Sequence, residues 1–456
     1  MKTILAFLFL SAYPAAALTP AMKSDLDQKV AAALKAFGAT SASVAVVENN
    51  TLVYTRAVGF ADLAGHVAAT PDTRYAVGSI SKQFTAAALL LAQEQGKVSI
   101  DDKVSKYFPD LTRGKEVTIR ELLSHTSGYE DYAPQDYIIP AWTQPTTPQT
   151  IMDKWGKKPL NFDPGTKWQY SNTNYVIAGS ILEKVTGQTL LSFLQEHIFG
   201  PLGMQSAGAW VRPGGLDADA YTRFALGPPR PVAREGHGWY FAAGELSMTP
   251  SDLSKWDVAL LEKKILSEKS YKELTTEVKL KDGGATHYAL GLSLGETLGT
   301  PTLSHSGEVS GFLATNTLFP KKGAAVIVLS NEDGIGLIGE MSREIAELVL
   351  GGDSGSQIKQ DDLVRQVLDD LQRGNLQKGL FTDDALAYFS DTARRDYQAS
   401  LEPLGKLVML SRQSEQQRGG MTHLSYRAHF EQDSVALNIY LMPDGKIEQF
   451  LVEEQF

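Results

Sequence analysis

Strand-like sequence is confined to the two flanks of the first 350 residues, and helix-like sequence fills the long interval between them. Ser41 to Val47 and Leu52 to Phe60 are β-branched and aromatic stretches on either side of Glu48-Asn49-Asn50. Asparagine tolerates the left-handed backbone of a tight turn, so these read as two paired strands. Strand character returns at Tyr288 to Leu294, Thr302 to His305, Phe312 to Phe319 and Ala324 to Leu329, with Lys321-Lys322-Gly323 turning between the last two. The region from Ser79 to Ile265 is mainly helical, interrupted at Pro140 to Pro148, Asp163-Pro164-Gly165 and Gly227 to Pro231. Met22 to Phe37, with Leu26, Val30, Ala33 and Leu34 on one stripe, and Ile335 to Leu350 have helical spacing. This order predicts an α+β fold: one antiparallel sheet closed by distant segments, flanked by helices, with an inserted helical region packed against it. A functional cleft is expected between the two parts, with the Pro- and Gly-rich breaks as its walls.

Gly351 to Ser356 is small, polar and flexible in composition, and a second unit is expected beyond it. Asp361 to Gln372 reads as a helix. Leu407 to Arg412, Thr422 to Phe430, Val435 to Leu441 and Ile447 to Val452 read as strands, with a turn at Pro443-Asp444-Gly445. The expected division is a main domain over 18–350, a linker over 351–357 and a small α+β domain over 358–456. A cone-shaped, nuclear-transport-factor-like fold is a candidate for the last, although no motif marks it.

The N-terminus carries Lys2, an apolar run from Ile4 to Tyr13 and then Ala15-Ala16-Ala17. That run is too short to span a bilayer and the small residues suit a signal peptidase. Residues 1–17 are therefore expected to be a signal peptide and Leu18 the start of a periplasmic or secreted chain. The competing reading is a buried N-terminal helix. No other long uncharged apolar segment occurs, so no transmembrane segment is expected in the mature chain. A net charge of -10 argues against a nucleic-acid partner, which requires a basic face. The chain has no cysteine, which excludes disulfides, thiolate metal sites, a cysteine nucleophile and a lipid-bearing cysteine. The eight histidines show no ligand spacing, so neither a metal nor another cofactor is expected.

Ser79-Ile80-Ser81-Lys82 precedes the helix-favouring run Phe84 to Ala92. Three residues apart at a helix start, Ser79 and Lys82 share a face. A lysine whose pKa is lowered by burial can take the proton from a serine hydroxyl and make it a nucleophile. The tetrapeptide alone is weak, because Ser356-Gln357-Ile358-Lys359 repeats it and a helix N-cap beside a surface lysine would look the same. Two further elements follow in order: Tyr170-Ser171-Asn172, opening a helix-like run from Tyr175 to Val185, and His305-Ser306-Gly307 at the close of a strand. Taken singly, these read as a buried aromatic, a turn residue and a core histidine.

With these three motifs in this order, the chain resembles the superfamily of serine β-lactamases, penicillin-binding proteins and related D-alanyl-D-alanine carboxypeptidases and esterases. Val117 to Gly128 and Ala242-Ala243-Gly244 are similar to family segments as well, and the resemblance covers roughly residues 22–350. It implies that Ser79 forms an acyl-enzyme and that Lys82 and Tyr170 share general-base duty, the phenol ionising beside a cation. It further implies that Asn172 hydrogen-bonds the substrate amide or the lysine, and that the backbone N–H groups of Ser79 and Glu308, next to Gly307, form an oxyanion hole. His125 is expected to order a turn. Trp239 and Tyr240 are candidates for the cleft or the core, and Asp131, Tyr132 and Trp142 for loops that set specificity. One departure bears on substrate: enzymes specialised for β-lactams usually place lysine first in the third motif, whereas His305 is a largely neutral residue at pH 7. The expected substrate is therefore a small molecule or peptide, of peptidoglycan origin or otherwise, cleaved at an amide or ester bond. A penicillin-binding sensor with little turnover, or a weak β-lactamase, is the alternative. A Ser-His-Asp hydrolase is disfavoured because no G-x-S-x-G elbow is expected.

Overall fold

The computed structural model describes residues 18–454 apart from 136–137, 211–216, 225–226, 233, 334–335 and 351–353. The expected signal peptide lies outside the described residues. Helix α1 (Pro20–Phe37) starts at Thr19, whose hydroxyl accepts from Met22 N, and ends at Gly38 in the left-handed region. Its buried residues, Leu26, Val30 and Ala33, recur at helical spacing. Strands β1 (Ser41–Glu48) and β2 (Thr51–Asp62) form the expected hairpin, with Asn49 and Asn50 at φ 49° and 57°. A short strand, β3 (Val67–Ala68), extends its edge. Helix α2 (Ser81–Glu94) is buried over nearly its whole length. Helix α3 (Asn172–Thr186) and the single turn α4 (Phe241–Gly244) pack beside it.

The remaining strands of the main sheet are β4 (Ser293–Thr297), β5 (Thr300–Val309), β6 (Phe312–Phe319) and β7 (Ala324–Ser330). Seven strands run in the order β3-β2-β1-β7-β6-β5-β4, antiparallel throughout. The join between β1 and β7 (Ser43 opposite Leu329) closes the sheet from segments almost 290 residues apart. Every residue of β1 is buried because both faces are covered: Ala45 and Val47 face the helical region, while Val44 and Val46 face α1 and helix α5 (Leu337–Leu350). The expected α+β class, with its inserted helical region, is what the structure has.

Three segments differ from expectation. Tyr288 to Leu292 is not strand: Gly291 turns at φ 75°, pressed so close to α2 that a Cβ there would sit 2.8 Å from the carbonyl oxygen of Lys82. Tyr288 keeps a single antiparallel bridge, to Ser293, and is buried. His305-Ser306-Gly307 lies inside β5, which runs on to Val309. Of the expected linker, 351–353 lie outside the described residues, and helix α6 (Ser354–Gln372) already begins at Ser354, so residues 354–357 are helical.

Beyond α6, strands β8 (Leu407–Arg418), β9 (Met421–Phe430), β10 (Ser434–Leu441) and β11 (Ile447–Glu454) form a four-stranded antiparallel meander. It carries its own hydrophobic cluster, in which Val364, Leu368 and Leu371 of α6 meet Leu424, Leu437 and Phe450. Polar contacts tie it to α5: Ser411 Oγ accepts from Arg343 and donates to Glu344.

Candidate active site

Ser79 sits in a 3₁₀ turn, Gly78–Ile80, that runs directly into α2, rather than in the first turn of α2 itself. Two glycines let this turn press against β5. A Cβ on Gly78, at φ 50°, would lie 2.8 Å from the nitrogen of Glu308, and one on Gly307 would lie 1.9 Å from Val77 O and 3.2 Å from the nitrogen of Ser79. The backbone nitrogens of Ser79 and Glu308 are thus neighbours across one gap, which is the role that Gly307 has in its motif.

The side chain of Lys82 is completely buried. Its Nζ donates to Ser79 Oγ at 2.9 Å, to Asn172 Oδ1 at 2.8 Å and to the carbonyl oxygen of Ala243, on α4, at 2.7 Å. Burial lowers its pKa to about 7, against the opposing pull of Asp131. Burial likewise pushes the carboxyl of Asp131 up, against the pull of its hydrogen bonds and of Lys82. Asp131 Oδ1 accepts from Asn172 N at 2.9 Å and Oδ2 from Asn172 Nδ2 at 3.3 Å, so Asn172 is held at the head of α3 with its carbonyl oxygen turned to the lysine. Of the two partners expected for Asn172, the lysine is the one it meets.

Tyr170 stands beside this cluster, with Lys82 Nζ 4.9 Å from its ring centroid. Burial raises its phenolic pKa well above the ordinary value; hydrogen bonding with Ser79 opposes the shift and Asp131 adds to it. The expectation of a phenol that ionises near neutral pH is corrected here, because dehydrating a phenolate costs more than the nearby amine returns. Burial thus moves both groups toward their neutral forms, the phenol of Tyr170 upward and the amine of Lys82 downward.

His125 is buried, in the left-handed region at φ 60°, and stacks on Tyr170 with ring centroids 4.3 Å apart. Its Nδ1 accepts from Ser171 N at 3.2 Å and its carbonyl oxygen from Gln169 N at 3.0 Å. It orders a turn, as expected, and the turn is the one that carries Tyr170. His305 donates from Nδ1 to Ser306 O at 2.5 Å, so its Nε2 accepts from the hydroxyl of Tyr288 at 2.8 Å. Burial and then Lys82 lower its pKa to about 3, and it carries no positive charge near neutral pH.

Ser79, Tyr170, Asn172, His305 and Glu308 line a cavity of about 470 Å³. Of the Pro- and Gly-rich breaks expected to wall it, only Pro140 to Pro148 contributes, through Trp142. Tyr240 lines the cavity, whereas Trp239 is buried in an aromatic cluster with Tyr132, Trp142 and Trp155. Sequence reasoning missed Glu235 and Ser310 on the far wall, where the Ser310 hydroxyl donates to Glu235 Oε1. Neither carries a local motif. Among the described residues no arginine or lysine lines the cavity, no cluster of histidine and carboxylates suits a metal ion, and no helix is long and apolar enough to cross a membrane.

One sequence expectation fails outright: Gly291-Leu292-Ser293-Leu294-Gly295 does match G-x-S-x-G. Ser293 opens the sheet strand β4 and does not line the cavity, so the strand-to-helix turn of a nucleophile elbow is missing there.

A serine hydroxyl against a buried amine, at the seam between an antiparallel sheet and a helical region, places the chain among the serine hydrolases. It belongs to the β-lactamase family, which it matches over residues 26–349. It is similar to a putative penicillin-binding protein, PbpX, of Bacillus subtilis (strain 168), with 28% identity over 71% of this chain and 79% of that protein. A D-aminopeptidase of Brucella anthropi is 26% identical over 88% of this chain and 81% of that enzyme. In architecture the chain is similar to the octameric penicillin-binding protein homologue from Pyrococcus abyssi, with a TM-score of 0.65 and 21% identity over 93% of this chain and 94% of that one. This last likeness concerns the fold alone.

Proposed function

We propose that the protein hydrolyses an amide, peptide or ester bond through an acyl-enzyme on Ser79, and that its substrate carries a free amino group of the D-amino-acid type. The observation that carries the reading is Lys82 Nζ, buried, poised near neutrality and 2.9 Å from Ser79 Oγ. In the neutral form it accepts the hydroxyl proton as Oγ attacks the carbonyl carbon. The backbone N–H groups of Ser79 and Glu308 are the donors for the resulting oxyanion, and Tyr170, a neutral phenol, relays a proton to the departing amine or alcohol. Water then attacks the acyl carbon, Lys82 accepts its proton, and the C–O bond to Ser79 breaks to release the acid.

The cavity supports the substrate class. Asp131, Glu235 and Glu308 are its acidic residues, and Lys82, when protonated, spends its three N–H bonds on Ser79, Asn172 and Ala243. A substrate ammonium would find carboxylates whose charge burial makes costly, and would relieve that cost. The carboxylate of a penicillin or of a C-terminal peptide would find no cation, since His305 is neutral. The relative named a D-aminopeptidase agrees in class. We further infer that residues 1–17 direct export to the periplasm or beyond, and that residues 358–456 are a separate small domain.

The test is a panel of D- and L-alanine p-nitroanilides, their N-acetyl forms, a p-nitrophenyl ester and a reporter penicillin, with mass spectrometry of the quenched reaction. The expected result is turnover of the free-amino D-substrate, loss on N-acetylation, and an acyl adduct on the peptide containing Ser79. Preference for the acetylated substrate would overturn the amino-group reading. An adduct that never turns over would favour the sensor alternative.

A further inference from the structure

The nitrogen of Leu18 lies 2.8 Å from Glu48 Oε2, in a buried contact. Leu18 and Glu48 are each only 6% exposed. The Leu18 side chain packs into the cluster formed by α1, the outer face of β1 and α5. Thr19 caps α1 and Pro20 opens it with a fixed φ, so the chain enters this position stiffly. Glu48 ends β1, just before the Asn49-Asn50 turn, and among the described residues Leu18 N is the single hydrogen-bond donor its carboxylate meets; Lys23 acts on it only through space. A carboxylate offers about four acceptor sites, and one peptide N–H is a meagre return for its dehydration.

The bond on the N-terminal side of Leu18 is the one singled out by Ala15-Ala16-Ala17. Sequence and structure therefore converge on one nitrogen from independent directions. We propose that Glu48 is the receptor for a newly made N-terminus: cleavage after Ala17 turns the Leu18 nitrogen into an ammonium that pairs with the buried carboxylate and fastens α1 to the sheet. In the cleavage, water adds hydroxyl to the Ala17 carbonyl carbon, the C–N bond breaks, and Leu18 N leaves as an amine that is protonated at neutral pH. The catalyst is a signal peptidase. The proposal rests on the export reading and is independent of the hydrolytic one.

The full chain exported from a bacterial host is weighed by intact mass, and a chain beginning at Leu18 is compared with one carrying a single glycine before it, each with Glu48 and with Glu48→Gln. The exported mass should correspond to a start at Leu18. The added glycine should lower the unfolding midpoint by about 2 °C with Glu48 present and leave it unmoved in Glu48→Gln. Acetic anhydride reacts with the neutral amine, so it should label the Leu18 amino group about tenfold more slowly than the N-terminus of a free leucyl peptide. That measurement needs only the wild-type chain and stands if Glu48→Gln fails to fold. A different mature start, an equal glycine effect in both backgrounds, or labelling as fast as the peptide would each overturn the proposal. Hydrolysis of the reporter should be the same with and without the glycine, and its absence from both chains would count against the proposed function while leaving this proposal standing.

Discussion

Lys82 and Gln83 are consecutive on α2, both fully buried, and each sits in a polar network of long-range hydrogen bonds. A helix turns about 100° per residue, so the two side chains leave in different directions. Lys82 meets Ser79, Asn172 and Ala243 at the wall of the cavity. Gln83 donates to Asn316 Oδ1 at 2.8 Å and accepts from Trp256 Nε1 at 2.9 Å, and Asn316 in turn donates to Asp257 Oδ1 at 2.8 Å. That second network is buried between α2, β6 and helix 250–261, and none of its members lines the cavity beside Ser79. Burial of polar groups does not by itself mark chemistry. The difference is that one network borders a cavity and holds an amine beside a serine hydroxyl, whereas the other joins polar groups within a packed core.

The comparison breaks first at Ser79, the proposed nucleophile. Ser79→Ala should reduce kcat/KM by roughly 10^5-fold and leave the unfolding midpoint within about 1 °C of wild type. Lys82→Ala should cost ~10^3-fold in kcat/KM, and the wild-type rise of kcat/KM with pH, centred near 7, should vanish with it. A pH profile unchanged in that variant would remove Lys82 as the base.

On the other side of the helix the sign of the experiment reverses. Gln83→Ala leaves the Trp256 N–H and the carbonyl oxygen of the Asn316 side chain unpaired. It should cost about 3 kcal/mol of stability in urea unfolding, with kcat/KM changed less than about threefold. A loss of activity as deep as that of Lys82→Ala would erase the distinction between the two networks. The last effect is one of pH, expected at Asp257, whose carboxyl burial pushes up to about 8. The folded chain keeps a proton there that the unfolded chain releases in the ordinary carboxylate range. The stability it contributes is therefore complete below the ordinary carboxylate range of about 4, falls as pH rises from there, and is gone by about 8. Asp257→Asn should flatten that slope.

Much of the site was legible because its motifs are local. Ser79 and Lys82 are one helical turn apart, and Tyr170 and Asn172 stand at the start of a helix that its own apolar spacing announces. Asp131, Glu235 and Tyr288 had no such mark. Asp131 acts on Asn172 from 41 positions away, and Tyr288 meets His305 from a segment that turns at Gly291, where the β-like composition predicts strand. The start of α6 was misplaced for a related reason: glycine and serine favour a flexible linker, yet Ser354 to Gln357 are drawn into the helix that buries Val364, Leu368 and Leu371.

By itself, then, the amino-acid sequence determined the α+β order, the hairpin at Asn49-Asn50 and which serine and lysine stand together, because periodicity, turn chemistry and i to i+3 spacing are short-range properties. Only the tertiary structure decided which groups change their ionisation. Lys82 is brought to about 7, His305 to about 3, and Tyr170 is kept a neutral phenol by removal from water, and dehydration is imposed by segments far away in the chain.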